Sequence, residues 1–531
     1  MEKPSDQVLG KTEDIPAVMR VESSTLEPIT INDNNARFVF ENKGILSRDT
    51  VLQFQLTTSA GVGFLPIGAG IYSLIKKATL RVGAKRICEI TDLPFYRSMT
   101  HTYNTPSYRA NYVRFMKGIN NTLVPNQLGT TLGGANSNVD AGKFQPTGGE
   151  VAVSTFKPED TVVPKDMKLG TTPETTPCWS IYLRELFPIL ESIELPLFLM
   201  NEEVVVDLEF NKQTSATDVA KNGVGTLCCF EADSVTPNPG EVLHVCSLVK
   251  ESCLMYVDTI YYANERMEDI DRQTDATKGM ALKYTDIISN VASMGDQVPI
   301  VAGTNTLRET EVIHQLPLSG FSVKNVFWCF NAPARSSLTN GGQQKSSPEF
   351  YNPFYGKYGM LATPKSSTFD IRVNDSLVFP EPITNPALKA TEASLVYNSP
   401  VYLHTALYSR DSYTVKSGEF ADQPNALPIS SSVADIAGGG TYRLFGGLNG
   451  TELLGGQHFE AVNLSTMPGD ANDDSIYINQ KPIEVLHRKF ATNQHTNFRY
   501  NAYYFAEVVK GFALKNGNVV IQQGPSVVMA Q

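Results

Sequence analysis

Residues Ser180 to Phe210 read SIYLRELFPILESIELPLFLMNEEVVVDLEF. The stretch opens polar and aromatic, passes through Phe187 and Pro188 into a nearly unbroken apolar segment around Leu195 to Met200, and closes on Val204 to Phe210. There Val204, Val206 and Leu208 alternate with Val205, Asp207 and Glu209, the two-residue period of a sheet with one face more buried than the other. Pro188 and Pro196 rule out one long helix. The spacing predicts a short turn of helix near Tyr182 to Leu190, then an extended lead into a long strand.

The same period recurs on either side. Phe38 and Phe40 share a face of Ala36 to Asn42, and Leu52, Phe54 and Leu56 stand against Gln53 and Gln55. Ala78, Leu80 and Val82 alternate with Thr79 and Arg81, and Gly83-Ala84 then reverses the chain into Lys85 to Ile90. Ser252 to Tyr262 is a strand expected to carry Leu254, Tyr256, Ile260 and Tyr262 on one face, followed by a short connecting helix, Asn264 to Asp271, capped by Asn264. Thr310 to Asn331 gives two strands around Leu318-Ser319-Gly320, the second carrying Phe321, Val323, Val326, Trp328 and Phe330. Tyr503 to Leu514 and Asn518 to Ile521 flank Asn516-Gly517, a strong hairpin signal. With 39 Gly and 31 Pro, the chain reads as all-β and rich in turns.

At 531 residues the chain exceeds what one core usually holds, so two domains or more are expected. An internal echo says how they are related. Leu80-Arg81-Val82-Gly83-Ala84 lines up with Ile371-Arg372-Val373-Asn374-Asp375, a strand and turn at the same stage of each half. Each half also ends in an aromatic-rich strand, Leu254 to Tyr262 and Ala502 to Val509. The boundary falls near Ala263, giving units of 21–263 and 264–522 between an N-terminal arm (1–20) and a C-terminal tail (523–531). Periodicity collapses over three long loops, 118–176, 332–367 and 430–456.

Three segments, LFPIL with LPLFLMNEEVVVDLEF, then VDTIYYANER, then YYFAEVVKGFALKNGNVVI, resemble the major capsid proteins of polinton-like viruses, virophages and related large DNA viruses. The resemblance covers about residues 30 to 522 and departs most in the loops. It implies two tandem eight-stranded antiparallel jelly rolls (a double jelly roll) with short helical insertions. The implied product is a homotrimeric, pseudo-hexameric capsomer tiling an icosahedral shell. The implied partners are neighbouring capsomers, penton and minor capsid proteins, with the presence of an underlying membrane left open. By the same resemblance, residues 118–176 form an outward loop between the fourth and fifth strands. The implied location is the virion, assembled in the host cytosol, nucleus or viral factory. A glycan-binding or glycan-active β-sandwich and a transient double jelly-roll scaffold are the alternatives.

Signals for chemistry are missing. Forty-four Lys and Arg against 55 Asp and Glu leave a net charge of −11, which disfavours a protein that coats nucleic acid. Residues 93–117 do interleave Tyr96, Tyr103, Tyr108, Tyr112 and Phe115 with Arg97, Arg109, Arg114 and Lys117. In so acidic a chain, the favoured reading has rings packed on the sandwich and cationic heads wet or paired with carboxylates. The seven cysteines, Cys88, Cys178, Cys228, Cys229, Cys246, Cys253 and Cys329, show no CxxC spacing and read as buried free thiols. The seven histidines, His101, His244, His314, His404, His458, His487 and His495, make neither HxH nor HExxH. Asp470, Asn472, Asp473 and Asp474 lack the glycine and distal glutamate of an EF-hand loop. Gly438 to Gly440 belong to no phosphate-binding fingerprint, and no GxSxG elbow occurs. No catalytic, cofactor or metal residues are therefore assigned, and the chain is expected not to be an enzyme. It shows neither a signal peptide nor an apolar membrane span, so secretion is not expected, and Asn120, Asn374, Asn449 and Asn463 carry no glycosylation meaning.

Overall fold

The computed structural model describes residues 20–58, 63–65, 69–100, 114–117, 169–211, 213, 229–231, 243–244, 246–275, 280–296, 310–331, 339–340, 343–344, 368–383, 388, 392, 396, 460–465, 475–490 and 499–523. Besides short strands at Thr30–Ile31 and Ile45–Leu46, eight main strands build a first sandwich: β1 (Arg20–Leu26), β2 (Asn35–Val39), β3 (Val51–Phe54), β4 (Ile75–Val82), β5 (Lys85–Thr91), β6 (Trp179–Tyr182), β7 (Val204–Phe210) and β8 (Leu254–Tyr261). Eight more build a second: β9 (Met280–Asp296), β10 (Thr310–Leu316), β11 (Ser322–Asn331), β12 (Thr368–Val373), β13 (Ser376–Leu377), β14 (Glu460–Asn463), β15 (Ile483–Phe490) and β16 (Arg499–Lys515). A further strand, β17 (Asn518–Gln523), pairs back on β16.

In the first sandwich one sheet has the order β1-β8-β3-β6 and the other β2-β7-β4-β5. In the second the orders are β9-β16-β11-β14 and β10-β15-β12-β13. Adding eight to every label of the first pair of sheets gives the second pair. The chain is thus two jelly rolls in tandem, antiparallel throughout.

The echo seen in sequence falls on equivalent hairpins, β4-β5 and β12-β13. Gly83 turns the first at φ +54°, and Asn374 and Asp375 turn the second at φ +49° and +70°, the left-handed conformation that Gly, Asn and Asp tolerate. The likeness extends to cross-strand contacts. Asp207 on β7 lies between Arg37 of β2 (2.6 Å) and Arg81 of β4 (2.7 Å). Glu484 on β15 lies between Gln315 of β10 (3.2 Å) and Arg372 of β12 (2.9 Å). A carboxylate on the same middle strand therefore ties its two neighbours in each roll.

Helices sit where periodicity breaks: α1 (Leu93–Thr100), α2 (Arg114–Lys117), α3 (Leu183–Leu186), α4 (Ile189–Ser192) and α5 (Asn264–Asp275). The turn expected at Tyr182 to Leu190 is instead a strand ending at Tyr182 and two short helices parted by Phe187-Pro188, because proline cannot continue the first. The connecting helix runs on to Asp275. Ala263, whose carbonyl accepts from Arg266 and Met267, takes the place expected of Asn264 as its cap.

Two expectations fail for instructive reasons. On β8 the inward residues are Met255, Val257 and Thr259, while Tyr256 stands exposed. Both parities of that strand carry apolar residues because Ile260 and Tyr262 pack under Ile270 of α5 on the other side. The segment 118–176 lies between the fifth and sixth strands, not the fourth and fifth. The strand that shifts the count is β1, RVESSTL, an exposed edge strand with no burial pattern to reveal it.

Candidate functional site

Among the described residues the two rolls meet in an extensive buried seam, and strand parity explains it. On β11, Val326 and Trp328 point into the second roll's own core, as do Ala502, Tyr504, Ala506 and Val508 on β16. The alternate residues Phe327, Cys329, Tyr503 and Phe505 are equally buried but join the core of the first roll. Both strands are covered on both faces, so VFWCF and AYYFAEVV read as near-continuous apolar runs.

The first roll covers that face with α1. Asp92 (φ +54°) turns the chain out of β5, and its carbonyl accepts from Phe95 and Tyr96. Phe95 then stacks on Tyr503 with ring centroids 4.1 Å apart, and Tyr96 lies 5.7 Å from Phe327 and 5.6 Å from Phe505. Burial raises the Tyr96 phenol far above its ordinary range, so the ring stays neutral.

Polar contacts fix the register of the seam. Tyr284 donates to the Ile87 carbonyl at 2.9 Å, Thr91 and Ser289 share a hydrogen bond, and Lys85 Nζ donates to the Val519 carbonyl at 2.7 Å. The β16-β17 turn is held by Asn201, whose backbone N–H donates to Gly517 at 3.0 Å and whose side chain donates to Asn516 at 2.9 Å. Beneath, Lys510 and Asp286 form an ion pair at 2.5 Å, almost fully buried, with Cys88 of β5 hydrogen-bonded to the same carboxylate. Burial nonetheless pushes Asp286 above its usual range, Lys510 opposing it.

In the aromatic and basic segment 93–117, most of the described side chains pack inward, Met116 being exposed. Tyr96 is buried in the seam, and Lys117 is buried against Glu185 at 2.6 Å rather than wet. Burial lowers the Lys117 ammonium to about 8 against the pull of Glu185. Tyr103, Tyr108, Arg109 and Tyr112 lie outside the described residues.

The structure converges two histidines that the sequence left scattered. His314 on β10 and His487 on β15 both reach Tyr504 on β16, with Nδ1 and Nε2 lying 2.6 Å and 2.5 Å from its hydroxyl. The available signal was phase, since His314 keeps step with Leu316 and His487 with Ile483 and Val485 on inward positions. Among the described residues no three His, Cys, Asp or Glu side chains could hold a metal, Cys88, Cys178, Cys246, Cys253 and Cys329 are free thiols, and no helix is long and apolar enough to cross a membrane. His101, His404, His458, His495 and the Asp470 to Asp474 loop lie outside them.

The counterpart of the seam is covered only at one end, where α5 packs on Ile260 and Tyr262. On the first roll, the outer face of β1-β8-β3-β6 presents Tyr256 (44% exposed) and Val21 (53%) beside partly exposed Leu254 and Val51. These occupy the topological place of the second roll's buried face, with Val51 opposite Tyr256 where Cys329 is opposite Tyr503. After β13, where the first roll has α1, the helical residue Leu388 stands 54% exposed.

No family model and no curated protein sequence matches this chain. Solved structures do. VP54 of PBCV-1, as fitted into a cryo-EM reconstruction of the virophage Sputnik, is 11% identical over 96% of this chain and 98% of that chain, with a TM-score of 0.51. A chain of the Sputnik virophage solved at 3.5 Å is 12% identical over 98% of this chain and 92% of that one, with a TM-score of 0.53. At such identity the likeness is one of fold, the double jelly roll, over nearly the whole length of each chain.

Proposed function

We propose that this chain is a major capsid protein, three copies of which close into a pseudo-hexameric capsomer that tiles an icosahedral shell. The observation carrying this reading is the seam. Inside one chain, the helix after the fifth strand of roll one covers the outer face of roll two. At the equivalent place in roll two Leu388 is exposed, and on the equivalent face of roll one Tyr256 and Val21 are exposed, with α5 covering only the Ile260 end. Repeating the internal contact between chains would cover both, and a heterologous contact that turns by about one sixth per roll closes after three two-roll chains. The similarity to chains from virus particles supports the same reading.

On this reading the chain divides into rolls of 21–263 and 264–522, with an arm at 1–20 and a tail at 523–531 available to neighbours. The loop 118–176 belongs to the outside of the capsomer. Its partners are copies of itself, neighbouring capsomers, penton and minor capsid proteins. With a charge of −11, contact with the genome falls to other components. Its place is the virion, assembled inside the host, and its role is structural rather than catalytic.

Native mass spectrometry of the purified chain is the test. A particle of three chain masses that persists at micromolar concentration is expected, because contacts of this kind bury upwards of about 2,000 Å². A stable monomer overturns the proposal.

A further inference from the structure

The interior of a β-sandwich is ordinarily apolar, and the second roll departs from this most distinctively where two histidines meet a tyrosine. His314 and His487 come from one sheet and Tyr504 from the other, and all three are buried. His314 Nε2 lies 2.9 Å from the carbonyl oxygen of Ser293 on β9. A carbonyl only accepts, so Nε2 carries a proton, and in the neutral ring Nδ1 then accepts from the Tyr504 hydroxyl. Having donated to His314, that hydroxyl accepts from Nε2–H of His487. The chain of bonds has a single direction, His487 to Tyr504 to His314 to Ser293, and it crosses from sheet to sheet at one oxygen. Burial holds Tyr504 far above its ordinary range, so it remains a donor.

Most of what surrounds the cluster is aromatic, with one carboxylate engaged by an indole. Trp328 of β11 sets its ring edge-on to His487 at 5.8 Å and to Phe369 of β12 at 5.0 Å. Glu460 of β14 is the carboxylate facing the cluster, and it accepts from Trp328 Nε1 at 2.9 Å. Asp370 of β12, of opposite parity to Phe369, accepts from the Ile371 backbone instead. A proton added to His314 makes Nδ1 a second donor aimed at the Tyr504 hydrogen, which can be relieved only if Tyr504 and His487 both reverse. A second proton would leave two cationic rings with centroids 5.5 Å apart, both donating to one hydroxyl. The folded roll therefore accepts at most one proton where the unfolded chain accepts two.

We propose that His314, Tyr504 and His487 form an acid-operated lock that ties the two sheets of the second roll together at neutral pH and loosens that roll, ahead of the first, in a mildly acidic compartment. Burial holds His314 below its ordinary value of 6.5, with the Ser293 bond opposing. For a base kept neutral by folding, stability is full above the unfolded pKa and is lost as pH falls through it. With one histidine so held, the folded-to-unfolded ratio falls about tenfold per pH unit below roughly 6.5. The inference is independent of assembly, because all its groups belong to one roll.

Hydrogen–deuterium exchange of the full chain at pH 7.5 and 5.5, corrected for intrinsic rates, tests it. Peptides of β10 and β15 are expected to lose protection at least tenfold at pH 5.5, while β4 and β7 of the first roll hold theirs. The variants His314→Gln and His487→Gln should each reduce the acid response. Equal change in both rolls, no change in either, or an undiminished response in both variants overturns the lock. Should neither variant fold, NMR titration of the wild-type rings decides: both imidazoles neutral at pH 5.5, or singly protonated as a pair, sustains it, and two ordinary titrations near 6.5 refute it.

Discussion

Replacing Lys510 by Met keeps the length of the side chain and removes its charge, leaving Asp286 with 3% of its side chain exposed and no cation beside it. The stranded carboxylate can stay ionised in an apolar seam or take up a proton, and the second route sets the ceiling on the loss. From the ordinary value of 3.8, protonation costs about 1.4 kcal/mol for each of the roughly three pH units up to pH 7, or about 4 kcal/mol. That agrees with the ~3–5 kcal/mol typical of a broken buried pair. At pH 5 barely one unit remains, so the ceiling falls to about 1.6 kcal/mol. Urea denaturation followed by tryptophan fluorescence should show Lys510→Met strongly destabilised at pH 7 and only mildly at pH 5. The double variant Asp286→Asn with Lys510→Met should recover most of the loss, since it removes the buried charge altogether. A pH-independent loss, or a double variant as unstable as the single one, would show that the pair is not what Lys510 stabilises.

Tyr96→Ala empties the centre of the seam and should cost ~3–5 kcal/mol; calorimetry is expected to resolve two separated transitions, and an unchanged melting profile counts against rolls coupled there. Burial raises Asp92 to about 6, Lys76 opposing it, so folding favours its protonated form and this one group's contribution to stability grows as pH falls from 7 to 5. Asp92→Asn should therefore raise Tm at pH 7.5 by an amount that shrinks towards pH 5, and a widening gap would reverse the sign. A Cβ on Gly517 would lie 2.4 Å from the Asn201 side chain at φ +73°, so Gly517→Val should cost ~1–3 kcal/mol by chemical denaturation, with a neutral result contradicting the packed turn. Tyr256→Glu should leave Tm within a degree while abolishing the trimer in light scattering; a trimer that persists excludes that face.

Much of the fold was legible because alternation is a local signal. Phe38, Leu52, Leu80 and Val206 are inward as their spacing predicts, and the Asn516-Gly517 turn falls where its dipeptide places it. The echo of LRVGA in IRVND located equivalent hairpins, since a two-residue turn admits few residue types. Legibility failed where a second contact overrode the first. On β8 both parities are apolar because α5 covers the other side, and on β1 neither is, because an edge strand in one chain has little to bury. The seam itself was present in VFWCF and AYYFAEVV, yet a run apolar on both faces does not say what covers it. Nor does spacing show that His314 and His487, 173 positions apart in the chain, meet at one hydroxyl.

The contact between rolls within a chain is taken to be the contact between chains, and single-particle imaging of the purified protein tests this most directly. Threefold particles of six lobes are expected, alternating in kind, with the α1-to-sheet seam inside each chain matched by a similar seam around Tyr256 between chains. Two-lobed single chains, or trimers joined through surfaces unrelated to that seam, would contradict it.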